Sequence, residues 1–106
     1  MNLEDLSNEL ETIGVPVTYR QFEKDHAPDP PFIIFYDGEK IGFSADNIDY
    51  FTRLEVFIEL YTDYKDEKLE EKIEKIFRSQ NIRFESEAMY WDEERMHEVL
   101  YRAVIF

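Results

Sequence analysis

Residues 57–77, FIELYTDYKDEKLEEKIEKIF, decide how this chain folds. Up to Tyr61 the pattern has period two. Leu54, Val56, Ile58 and Leu60 alternate with Arg53, Glu55, Phe57 and Glu59, as in a strand with one strongly apolar face. After Thr62-Asp63-Tyr64-Lys65 the period changes, and Leu69, Ile73, Ile76 and Phe77 recur at helical spacing. Asp66 suits the N-cap, because its carboxylate can accept from the free amides of the first turn, and Glu67 complements the helix dipole there. The stretch is a strand that turns into a helix, and none of it is catalytic chemistry.

Working outward, a first helix is expected from Asn2 to Ile13. Leu3, Leu6, Leu10 and Ile13 share one face, Asn2 can cap the start, and Gly14 can take a left-handed exit. Val15-Pro16 then forces an extended path into a short strand, Val17 to Arg20. Gln21 to Pro31 has three prolines and no periodicity, and reads as a loop. Phe32-Ile33-Ile34-Phe35-Tyr36 is apolar on both sides, which suggests a central strand covered on both faces. The cover is either helices on one side and a neighbouring subunit on the other, or helices on both. Asp37-Gly38 reads as a turn. Ile41 to Asn47 fits either a hairpin arm or a loop leading to the long strand Tyr50 to Tyr61. The second helix is expected from Asp66 to Ser79 with Asn81 as a left-handed residue after it. A strand from Ile82 to Met89, a turn at Trp91-Asp92-Glu93-Glu94 and a final strand from Met96 to Phe106 complete the chain. These elements predict an α+β fold of one domain, residues 1–106: a mostly antiparallel sheet of four to five strands with both helices on one face.

The final strand carries apolar residues on both faces. His97, Val99, Tyr101, Ala103 and Ile105 lie on one. Met96, Leu100, Val104 and Phe106 lie on the other, among Glu98 and Arg102. Either helices bury it from both sides, or the second set contacts another subunit.

Composition narrows the function. At 106 residues, with 43% hydrophobic and 16% aromatic content, the chain can build one core and is not a disordered acidic tail. It has no cysteine, so disulfides, thiolate metal sites and cysteine nucleophiles are unavailable, in keeping with a reducing cytoplasm. The start, Met1-Asn2-Leu3-Glu4-Asp5-Leu6, lacks the basic and apolar regions of a signal peptide, and no window has the apolar length to cross a bilayer. Twenty-five acidic against twelve basic residues give −13, which disfavours direct nucleic-acid binding through phosphates and leaves no basic patch in expectation. His26 and His97 are separated and lack converging ligands, so neither a metal nor another cofactor is expected. Only three glycines are present and no nucleophile elbow or phosphate loop occurs, so the chain does not read as an enzyme. On the second helix Glu67, Glu70, Glu71 and Glu74 with Lys68, Lys72 and Lys75 read as a solvated face, where Glu71–Lys75 is the favourable pair.

The order and wording of these pieces resembles a family of tail terminator and head–tail joining (neck) proteins of tailed bacteriophages and prophages of Gram-positive bacteria. The resemblance is carried by Pro16-Val17-Thr18-Tyr19, the Ala27-Pro28 to Phe32 block, Ser44-Ala45-Asp46-Asn47, and Glu59 to Asp66 followed by Leu69-Glu70, with a closing strand around Tyr101. It implies a structural protein that caps the tail tube, stops its growth and joins it to the head connector. It also implies a homo-oligomeric ring, commonly hexameric, assembled in the bacterial cytoplasm and retained in the virion neck. The expected partners are the tail tube protein and the head connector protein, with no membrane. Candidate assembly contacts are Arg20, His26, Asp29, Asp46, Tyr64 and Trp91 in loops, and Leu100, Val104 and Phe106 on the closing strand. The alternatives are another tail-completion or head-closure protein of the same gene cluster, or an acidic DNA-mimic inhibitor of the antirestriction kind. Mimicry needs carboxylates spaced like phosphates, whereas here acids alternate with Lys and Arg on the second helix.

Overall fold

The computed structural model describes residues 1–23, 27–45 and 48–106, and the side chains of residues 42–52 lie outside the description. The chain runs α1 (Leu3–Glu11), β1 (Val17–Tyr19), β2 (Phe32–Ala45), β3 (Ile48–Thr62), α2 (Glu67–Ser79), β4 (Phe84–Trp91) and β5 (Met96–Ile105). The strands form one sheet in the order β1-β2-β3-β5-β4, antiparallel except for the parallel β1–β2 pair. The fold is the α+β arrangement expected, with five strands.

Both helices are bounded by local chemistry. Asn2 Oδ1 accepts from the Asp5 amide at 2.8 Å and Asp5 Oδ2 accepts from the Asn2 amide at 3.1 Å, a reciprocal cap that satisfies two free donors. Gly14 takes φ +96°, where a side chain is strained, and turns the chain toward β1. Asp66 caps α2 by accepting from Leu69 N at 3.2 Å. At its far end Asn81 adopts φ 56°, its amide donates to Arg78 O and the Ile82 amide donates to Phe77 O, the paired bonds of a Schellman exit. Ile82 is therefore drawn into the core as part of the helix exit, and β4 starts two residues later than Ile82 for that reason.

The core lies on one face of the sheet. Leu6 and Leu10 from α1, Ile13 just past its end, and Leu69, Ile73, Ile76 and Phe77 from α2 pack on Ile33, Phe35, Val56, Ile58, Leu60, Val99, Tyr101, Ala103 and Ile105. These sheet residues stand in register across β2, β3 and β5, for example Phe35 opposite Ile58 and Ile58 opposite Tyr101. The helices cover this face alone, so helices do not bury β2 or β5 from both sides. On the other face Ile34, Tyr36, Phe57, Glu59, Tyr61, Leu100 and Val104 are half-buried.

Two further expectations change. Asp37-Gly38 does not turn the chain; β2 continues through it with a register irregularity between Asp37 and Lys40. A Cβ on Gly38 would sit 2.5 Å from Glu55 Oε1 and 2.7 Å from Phe57 Cε2, so glycine here permits a close approach of side chains from β3. On α2, Glu70 and Glu74 are half-buried rather than solvated: Lys65 pairs with Glu70 at 2.9 Å and Arg78 with Glu74 at 3.0 Å. No Glu71–Lys75 bridge forms among the described residues.

Candidate functional site

The open face of the sheet is read from three cross-strand rows. Phe32 stands opposite Tyr61, Tyr61 opposite Glu98, and Glu98 opposite Met89. The next row is Ile34, Glu59, Leu100 and Glu87, and the next is Tyr36, Phe57, Arg102 and Glu85. Each row mixes apolar side chains with charge. Phe32 stacks on Tyr61 with centroids 5.0 Å apart, and Tyr36 on Phe57 at 5.1 Å. Ile34, Tyr36, Phe57, Tyr61, Leu100 and Val104 are half-buried without a helix above them.

One end of this face is acidic. Glu59 accepts from the Tyr36 and Tyr61 hydroxyls, both at 3.2 Å, and Glu98, only 4% exposed, accepts from Trp91 Nε1 at 2.9 Å. Burial, with the charge of Glu98 second, raises the Glu59 carboxyl above the ordinary range. Burial and then the Glu59 charge push the Tyr36 phenol up to about 12, and the same two causes raise Tyr61. Phenol and indole donors hold the two carboxylates.

The other end mixes three arginines with two glutamates, Glu55 and Glu85. An open cavity of about 910 Å³ is lined by Arg53, Arg83 and Arg102 with Phe84, Val104 and Phe106. The Arg53 guanidinium lies 5.7 Å from the Phe106 ring centre and that of Arg102 lies 6.0 Å from Phe57. The three arginines come from three strand neighbourhoods, and pairing of β3, β5 and β4 brings them to one groove.

The candidate contacts divide between regions. Leu100 and Val104 lie on the open face, and Phe106, 66% exposed, stands just past β5. Trp91 ends β4, not a turn, and its indole reaches Glu98 on the same face. Arg20 lies at the opposite edge, with φ 69°, and pairs with Asp37 at 3.1 Å; Asp37 also accepts from the Tyr19 hydroxyl, which holds its carboxyl below the usual range. Tyr64 is 66% exposed in the β3–α2 connection, where its carbonyl accepts from Thr62 Oγ1 at 2.6 Å. Asp29 is exposed in the proline block. His26 and Asp46 lie outside the described residues.

The reading from sequence missed Glu98, Tyr36, Tyr61, Arg83 and the closeness of the Glu59 and Glu98 charges. Parity within a strand was available for each, but the register between strands was not.

Among the described residues no group of three or more His, Asp or Glu is placed to hold a metal ion, and no helix is long and apolar enough to cross a membrane. Neither a protein-family model nor a curated protein sequence matches this chain.

Proposed function

We propose that the chain is a stoichiometric structural protein of the neck of a tailed phage or prophage, which caps the tail tube as a ring and joins it to the head connector. The observation that carries this reading is the open sheet face. A monomer gains nothing from leaving Ile34, Tyr36, Phe57, Tyr61, Leu100 and Val104 half-exposed beside charge, whereas a subunit that must associate uses such a surface. The resemblance in the blocks around Pro16, Ala27 and Glu59 supplies the tail and neck context.

The charge of −13 suits a ring through which a genome passes, because a negative lumen repels phosphate and lets DNA slide. It also sets a cost. Six copies would carry roughly −78 formal charges, so association would be opposed at low salt and eased as screening shortens from about 30 Å at 0.01 M to about 3 Å at 1 M.

The experiment is electron microscopy of particles from a strain lacking the gene. Tails of unregulated length, or tails separate from filled heads, are expected. Tails of normal length already joined to heads would overturn the reading.

A further inference from the structure

The sheet has two edges, and they are finished differently. β1 is three residues long, Arg20 at φ 69° bends the chain away from it, and the Gln21 amide already donates to Tyr19 O at 2.9 Å. A short, bent edge resists pairing with another chain. β4, eight residues long, pairs among the described residues with β5 alone, in an unbroken register from Phe84 opposite Ala103 to Trp91 opposite Met96, and it contains no proline. Its outer side therefore presents alternate amides and carbonyls over about 27 Å, at about 3.4 Å per residue. Glu85, Ser86, Glu87 and Ala88 along it are exposed, and Tyr90 and Trp91 at its end are 50% and 46% exposed.

We infer that β4 of one copy pairs antiparallel with β4 of a second copy, about a two-fold axis normal to the sheet and centred on Ala88. The ring reading uses the open face, whereas this contact uses the edge and closes at two copies, so it stands independently of the ring.

Charge along the strand selects both the occupant and the register. The segment from Arg83 to Glu94 begins basic and ends acidic, in Asp92-Glu93-Glu94. Antiparallel self-pairing lays the beginning of each strand against the end of the other. Neither Arg83 nor these three acids make an ion pair among the described residues, so both ends are available. Residues opposite each other must share a face, so the axis passes through a residue and opposed positions have like parity. Centred on Ala88, Arg83 meets Glu93, Glu85 meets Trp91, Glu87 meets Met89 and Ser86 meets Tyr90, each twice. No like charges are opposed. Centring on Glu87 sets that carboxylate against its own copy, centring on Met89 sets Glu85 against Glu93, and centring on Ser86 sets Glu85 against Glu87. Like charges directly opposite destabilise a strand pair, while opposite charges stabilise it. The second copy thus supplies the matching charge at both ends, in one register.

Sedimentation equilibrium of the full chain tests this near 0.15 M salt, where a screening length of about 8 Å damps the net repulsion and leaves contacting charges interacting. The wild type is expected to form a dimer. Ala88→Glu sets two carboxylates against each other on the axis and is expected to abolish it. Arg83→Glu and Glu93→Arg each oppose like charges at both ends, and each is expected to weaken the dimer about tenfold. Arg83→Glu combined with Glu93→Arg restores the match and is expected to return the dissociation constant to within about threefold of the wild type. All three positions are exposed, and circular dichroism checks folding. Ala88→Glu tests the axis and the reversals test the ends, so either decides alone when a variant of the other fails to fold.

A wild-type dimer that Ala88→Glu leaves intact would overturn the edge contact. Reversals that weaken the dimer without rescue in the double variant would overturn the register. A wild-type chain with no dimer up to about 1 mM would overturn the contact as well, and the ring reading keeps its separate test in the deletion strain.

Discussion

The two faces of the one sheet are built from the same strands and obey different rules. On the helix-covered face the central sheet residues from Ile33 to Ile105 are buried, and the one phenol among them, Tyr101, donates to Glu74 at 3.0 Å. On the open face every row across β2, β3, β5 and β4 holds at least one charge beside aromatic or aliphatic neighbours. The covered face is finished when the monomer folds. The open face keeps its exposed charges, Glu85, Glu87 and Arg102, hydrated until another surface arrives, while Glu59 and Glu98 already take donors from Tyr36, Tyr61 and Trp91 within the monomer. Position on the sheet thus separates side chains that specify the fold from those available for association.

Substitutions that break one face and not the other sharpen this contrast. Phe77→Ala removes the largest α2 side chain from the covered face, where it is fully buried and stacks on Phe84 at 5.4 Å. The expected loss is about 3–5 kcal/mol, read from urea unfolding of the monomer. Tyr101→Phe keeps the ring and removes the hydroxyl that donates to Glu74, and should cost about 1–2 kcal/mol in the same measurement. Val104→Lys on the open face should leave the monomer within about 1 kcal/mol of the wild type while abolishing assembly in light scattering. A large loss of monomer stability from Val104→Lys would place it in the core and erase the distinction between the faces.

The smaller effects concern charge. The folded pKa of Glu59 is raised, so the native state holds a proton more readily than the unfolded chain in the window just above the ordinary glutamate value of 4.5. This group therefore lowers stability once pH exceeds its raised pKa, and the penalty disappears as pH falls through that window. Glu59→Gln should remove this dependence, so that its stability relative to wild type is greater at neutral pH than near pH 4.5, in denaturant titrations at both. An unchanged difference at the two pH values would show that Glu59 is as well solvated as in the unfolded chain. Least of all, gel retardation of duplex DNA at physiological salt should be absent, because +1 in one groove does not offset −13 overall.

The elements read correctly from the chain are those with local causes. The strand-to-helix switch at Asp66, the Asn2 cap, the Gly14 and Asn81 left-handed exits and the two-sided pattern of β5 all follow from residues within a few positions of each other. Asp37-Gly38 was misread because the dipeptide suits a turn, while its actual role depends on Glu55 and Phe57 from the paired strand lying against Gly38. Of the candidate contacts, Leu100, Val104, Phe106 and Trp91 gather on or beside the open face. Arg20, Asp29 and Tyr64 lie elsewhere, since loop membership gives no direction in space.

Sequence by itself determined the class of fold, the acidity, and the fact that β5 has apolar residues to bury on both sides, because periodicity and charge are properties of neighbouring residues. Tertiary structure alone decided that Glu59 and Glu98 share an aromatic nest at one end of the open face, and that Arg53, Arg83 and Arg102 meet at the opposite end. It also decided how far β2 and β3 stay paired with each other past the end of β5. The physical reason is register: a strand's own pattern says which residues share a face, but pairing across strands says which of those residues stand beside one another.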